Sequence, residues 1–198
     1  MIAWMLAIGV SVAALVISAA ARPGNVTMAY AHLAIAAGIS IFFALTAIRE
    51  LGASAAAGES RTALAAKSAR FMGLVWTWAA LVIVVTYGTG VLSWKEWMSH
   101  FFGMFGVGGV CLAVASTLGK SASAGKDDET MLTIARYLTI IQLVGMVILM
   151  LGFLIDGQMK RFLDEQFTDW PAKNVMFFGA MAIAAISGAA LKLIPRQA

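Results

Sequence analysis

The chain has 198 residues, 61% of them hydrophobic and 12% charged, with a mean hydropathy of +0.88. Soluble domains run nearer 45–50% apolar and about 25% charged, so the composition excludes a water-soluble fold and points to a single membrane domain over residues 1–198. The net charge of +4 and pI near 9.5 do not indicate nucleic acid. No basic run is long enough to follow a phosphate backbone, and excess Lys and Arg is the usual mark of cytoplasmic loops.

Charge-free apolar runs mark six predicted spans: Met1–Ala21, Met28–Ile48, Phe71–Ser93, Trp97–Leu118, Tyr137–Ile155 and Val175–Leu191. Each is near the roughly 20 residues that a helix needs to cross about 30 Å of hydrocarbon. In lipid an open-ended element must satisfy its own backbone, which selects helix. The first run ends at the turn-forming Arg22-Pro23-Gly24-Asn25. It lacks a basic n-region and exceeds the usual 7–15 apolar residues of a signal peptide, so it reads as a retained helix. The fold class is an all-α polytopic bundle of six transmembrane helices.

On alternating sides, nine Lys and Arg fall with the termini (Arg49, Arg61, Lys67, Arg70, Lys120, Lys126, Arg136, Lys192, Arg196). Five fall opposite (Arg22, Lys95, Lys160, Arg161, Lys173). The positive-inside rule then puts both termini in the cytoplasm, with a bacterial inner membrane as the setting. Trp94, Trp97 and Trp170 fall at the outer interface and Tyr137 at the inner one, where amphipathic rings are expected. In the outer loop, Met159, Phe162, Leu163, Phe167 and Trp170 recur at helical spacing between charges. That predicts a short amphipathic segment over 158–170, lying on the outer surface and stopped by Pro171.

Two long inner loops match each other. Leu51-Gly52-Ala53-Ser54-Ala55-Ala56-Ala57-Gly58 repeats 67 residues on as Leu118-Gly119-Lys120-Ser121-Ala122-Ser123-Ala124-Gly125. Ala69-Arg70-Phe71 repeats 66 residues on as Ala135-Arg136-Tyr137. The pattern suggests a duplicated helix hairpin, spans two and three being one copy and spans four and five the other, in parallel orientation. Gly103, Gly106 and Gly109 form a small-residue ridge on the fourth span. Ala180, Ala184 and Gly188 form another on the sixth and offer a face to a membrane-protein partner, as does the 158–170 segment. Helices in lipid associate through such close contacts. Gln142, within the fifth span, should hydrogen-bond a neighbour across the bundle.

Ionisable groups inside spans usually mark function in membranes, and no Asp, Glu, Lys or Arg lies deep in any of the six runs. There is no carboxylate pair for acid–base work, no Ser/His/Asp set and no phosphate-cradling Gly-rich loop. The single cysteine, Cys111, cannot form an internal disulfide and reads as a buried free thiol. What remains is His32 and His100, the only histidines, each about four residues (roughly 6 Å) inside the outer end of its span. The plain reading is an interfacial histidine bonded to water, a headgroup or a loop carbonyl. The sharper reading is a shared site, because two opposed imidazoles can hold a haem iron and imidazole is the commonest metal ligand. Met28, Met104, Thr86, Tyr87 and Thr89 lie nearby, and methionine favours a soft ion such as copper(I). One histidine per hairpin resembles, in pattern alone, the four-helix core of membrane b-type cytochromes. That resemblance implies a single haem b at most.

The leading functional expectation is a non-catalytic accessory or assembly component of the membrane. One alternative is a haem b or metal-binding redox protein using His32 and His100. A second is a small neutral-solute transporter or channel, disfavoured by the lack of broken helices and of polar groups at mid-membrane.

Overall fold

The computed structural model describes residues 2–20, 26–88, 94–155 and 170–195. These form six α-helices: α1 (Ile2–Ala20), α2 (Val26–Ala56), α3 (Arg61–Gly88), α4 (Trp94–Ser123), α5 (Glu129–Ile155) and α6 (Trp170–Leu193). No strand occurs among the described residues. Five of the helices contain stretches long and apolar enough to cross a membrane: Tyr30–Ala56, Arg61–Val85, Phe101–Ser123, Glu129–Gly152 and Asn174–Leu193. The all-α membrane bundle expected from composition is therefore the observed architecture. α1 is a 19-residue helix whose described apolar stretch, Trp4–Leu15, is shorter.

The helices outrun the charge-free runs. α2 has 31 residues, about 46 Å at 1.5 Å per residue, against about 30 Å of hydrocarbon. The expected inner loops 49–70 and 119–136 are mostly helix, and only residues 57–60 and 124–128 turn the chain. A charge marks where hydrocarbon ends, not where a helix ends. The true stops are local. Gly58 and Gly125 take positive φ of 73° and 65°, the left-handed conformation that glycine adopts without Cβ strain. At the first stop, the Glu59 N–H donates to Ser54 O at 3.1 Å and the Gly58 N–H to Ala55 O at 3.1 Å. At the second, the Lys126 N–H donates to Ser121 O and the Gly125 N–H to Ala122 O, both at 3.0 Å. Both are Schellman caps. The next helices start on N-caps: Ser60 Oγ accepts from the Ala63 N–H at 3.2 Å, and Asp128 Oδ1 from the Met131 N–H at 3.0 Å.

The C-caps correspond 67 residues apart and the N-caps 68 apart, because the second turn is one residue longer. The sequence match of Ala69-Arg70-Phe71 with Ala135-Arg136-Tyr137 is thus two positions out of step with the helix starts.

α3 is the central helix, packing on α1, α2, α4, α5 and α6. Its spanning stretch is 61% buried by the rest of the chain, against 17% for α5. Small residues let neighbours close on several sides of it. A Cβ at Gly73 would stand 2.7 Å from the Leu112 side chain and 3.3 Å from the Gly108 carbonyl. One at Gly108 would stand 2.9 Å from Trp76 Cβ. α3 and α4 therefore meet almost backbone to backbone, the contact that replaces hydrophobic exclusion in lipid. The ridge expected at Gly103, Gly106 and Gly109 does not serve this contact, since a Cβ at any of them would meet nothing within 4 Å. On α6, Ala180 is buried inside the bundle, and Ala184 and Gly188 are half-buried.

Gln142 does bond across the bundle. Its Oε1 accepts from Trp76 Nε1 on α3 at 2.9 Å, and its Nε2 donates to Cys111 Sγ on α4 at 3.3 Å. Cys111 is the buried free thiol expected. α1 docks through Trp4, Ile8, Ser11 and Leu15, one stripe at heptad-like spacing. Trp4 stacks on Phe43 of α2 at 5.0 Å and on Phe71 of α3 at 5.1 Å. The amphipathic segment expected over 158–170 lies outside the described residues except for Trp170. Pro171, expected to stop that segment, sits in the first turn of α6, where a missing N–H breaks no helical bond.

Candidate functional site

One end of the bundle carries the turns 57–60 and 124–128, and the far end lies opposite. His32 is in the second turn of α2, at the far end. It belongs to the buried line His32, Ala36, Ser40, Phe43, Ala47, Leu51 and Ser54, whose steps of three and four keep one helix face inward. α2 presses that face mainly against α6, with α1 and α3 beside it. His32 is 3% exposed, and neither Nδ1 nor Nε2 has a hydrogen-bond partner among the described residues. This corrects the plain interfacial reading: the imidazole faces protein rather than water. A buried donor or acceptor left unmade costs about 1–3 kcal/mol.

A second polar group at this end escaped the sequence reading. Asn174, in the second turn of α6, is fully buried, with Oδ1 and Nδ2 both unpartnered. Ser40 Oγ on α2 and Trp78 Nε1 on α3 are unpartnered too. Asn174 fell just outside the sixth predicted span. A signal for it existed, because Val175–Leu191 holds only 17 residues, short of the roughly 20 needed, so the helix had to begin earlier.

His100 is the seventh residue of α4, as His32 is of α2. Its side chain lies outside the described residues, as do those of Met28, Thr86 and Tyr87 and the whole of Thr89. α2 and α4 both pack on α3 and have at most marginal contact with each other among the described residues. Met104 is buried and lines an apolar void of about 30 Å³, together with Met146 and Met176. That volume holds about one water-sized particle. No group of three or more His, Cys, Asp or Glu side chains converges among the described residues.

At the turn end, the two turns are tied together. Arg61 binds Glu129 at 2.5 Å and reaches Asp127 at 3.8 Å, while Thr62 Oγ1 donates to Asp127 Oδ1 at 2.6 Å. Lys67 donates to Glu59 at 2.7 Å and to Ser54 at 2.6 Å. The Lys67 ammonium holds the Glu59 carboxyl below its ordinary range.

Comparison with protein-family models, curated proteins and solved structures returns no match.

Proposed function

We propose that this chain is a non-catalytic assembly component of a bacterial inner membrane, crossing it six times with both termini and both tied turns in the cytoplasm. The observation that carries this reading is the uncovered side of α4. That helix is fixed to the bundle through α3 and touches α5 only lightly. Among the described residues, its other side presents Gly103, Gly106 and Gly109 with open space above them, flanked by exposed Phe102 and Phe105. Lipid gains nothing from a glycine groove, whereas a partner helix gains backbone approach. The excess of Lys and Arg at the turn end supports the orientation. The two matching turns, each with a Schellman cap and an N-cap, support descent from a duplicated hairpin.

The test is association. Extracted in mild detergent and run on a native gel, the chain should migrate in a complex well above its own 20.9 kDa. Gly106→Leu should release it as a folded monomer. Migration as a monomer from the start, or a complex unaffected by the substitution, would overturn the reading.

The buried imidazole favours a second reading, haem b or copper bound by His32, with His100 as the other ligand. A buried imidazole with neither nitrogen partnered among the described residues has a lone pair to give, and His32 and His100 would hold the metal. Purified protein should then show a Soret band or bound copper that His32→Ala removes; a colourless, copper-free protein ends this reading.

A further inference from the structure

We propose that the cavity at the turn end, between α3, α5 and α6, binds one anionic phospholipid with its phosphate on Arg136, an inference that rests on the chain spanning a membrane. The cavity measures about 250 Å³. Its charged lining is Arg61, Glu129 and Arg136, a net +1 that one phosphodiester neutralises. The two arginines are not equivalent. Arg61 already holds Glu129 and Asp127. Arg136 is half-buried, with no carboxylate in ion-pair range and no hydrogen bond among the described residues. A half-buried guanidinium with no carboxylate partner among the described residues has its donors available for an anion.

Position selects the class of anion. Arg136 directly precedes the charge-free run Tyr137–Ile155, and Leu191, also on the wall, ends the run Val175–Leu191. Two elements thus cross from hydrocarbon to water at the level of this cavity, where lipid headgroups lie. The remaining wall is split to match. Glu129 and Thr133, whose hydroxyl donates to the Glu129 carbonyl at 2.8 Å, are polar, while Leu132, Ala135 and Ile194 are apolar. Exposed Val144, Val147 and Leu151, which helical spacing puts on the Arg136 side of α5, continue an apolar surface beyond the cavity, where acyl chains would lie. A soluble phosphate would use the arginine and leave the apolar wall idle.

The experiment is native mass spectrometry of the delipidated full-length chain in detergent, titrated with phosphatidylglycerol and with phosphatidylcholine of the same acyl chains. One phosphatidylglycerol should be retained per chain, about tenfold more tightly than phosphatidylcholine, as a charged hydrogen bond predicts. Arg136→Gln should remove that preference and Arg136→Lys should keep most of it. Leu191→Trp, which fills the cavity and leaves every charge in place, should weaken binding by a similar factor. Lys120→Gln, an exposed cation on α4, should change nothing. If Arg136→Gln fails to fold, by circular dichroism, the Leu191→Trp and Arg136→Lys titrations decide. Equal retention of both lipids, or binding unmoved by Leu191→Trp, overturns the proposal. Displacement by millimolar glycerol phosphate assigns the site to a soluble phosphate compound and overturns it too. The readout needs neither sidedness nor a partner protein, so it fails separately from the assembly reading.

Discussion

Gln142 holds three helices with one amide, accepting a hydrogen bond from Trp76 on α3 and donating one to Cys111 on α4. Hydrogen bonds inside membranes average about 0.6 kcal/mol in double-mutant cycles, so Gln142→Leu should cost about 1 kcal/mol, read as a shift in the detergent-unfolding midpoint. No loss would mean that the leucine's packing replaces the bonds fully. Glu59 makes a different kind of prediction. Its folded pKa lies below the ordinary 4.5 because of Lys67. A depressed carboxylate stabilises fully above its unfolded pKa and loses that contribution as pH falls through the folded value. The carboxyl carbon shift of Glu59 should therefore titrate below 4.5, and Lys67→Met should move the midpoint up toward it. An unmoved midpoint would show that the pair is not formed in solution. Gln142 was legible in the sequence because an amide in an apolar run has few other uses. His32 was legible as a residue worth naming, but its burial was not, since a helix end alone does not say whether a ring faces lipid, water or protein.

Among the helices, the instructive contrast is between adjacent glycines of α4. Gly108 touches α3 and Gly109 faces open space. Gly108→Val must push two backbones apart and should destabilise by about 1–3 kcal/mol, the usual cost of overpacking. Gly109→Val should be nearly neutral in the same unfolding titration. Equal effects would place the α3–α4 contact elsewhere. The sequence showed glycines at 103, 106 and 109 in one register and made them the packing ridge. The contact uses Gly108 instead, because its partner surface on α3, with Gly73 and Trp76, cannot be seen from α4 alone. The helix stops are local, at Gly58 before Ser60 and at Gly125 before Asp128, whereas the charges mark only where the hydrocarbon ends.

For the whole molecule, hydropathy fixes how many helices there are but not which one lies at the centre. α3 is central because Ala65, Ala69, Gly73, Ala79 and Ala80 let neighbours approach from several sides, a property of spacing and volume that mean hydropathy averages away. Sidedness gives a prediction at this scale. Ala57→Cys and Ala124→Cys should both react with a membrane-impermeant maleimide in inverted vesicles and in no other preparation, while buried Cys111 stays unlabelled. Labelling of the two positions from opposite faces would rule out the parallel arrangement of the hairpins.

The place of α6 has a consequence for how the protein is made. It packs on α2, α3 and α5, yet it is the last of these helices to leave the ribosome. Until it inserts, the buried amide of Gln142 is already matched through α3 and α4, but the faces of α2 and α5 that α6 will cover are open to lipid. Nascent chains stalled after α5 should therefore be extractable and sensitive to membrane quality-control proteases, whereas chains that reach Leu193 should be resistant.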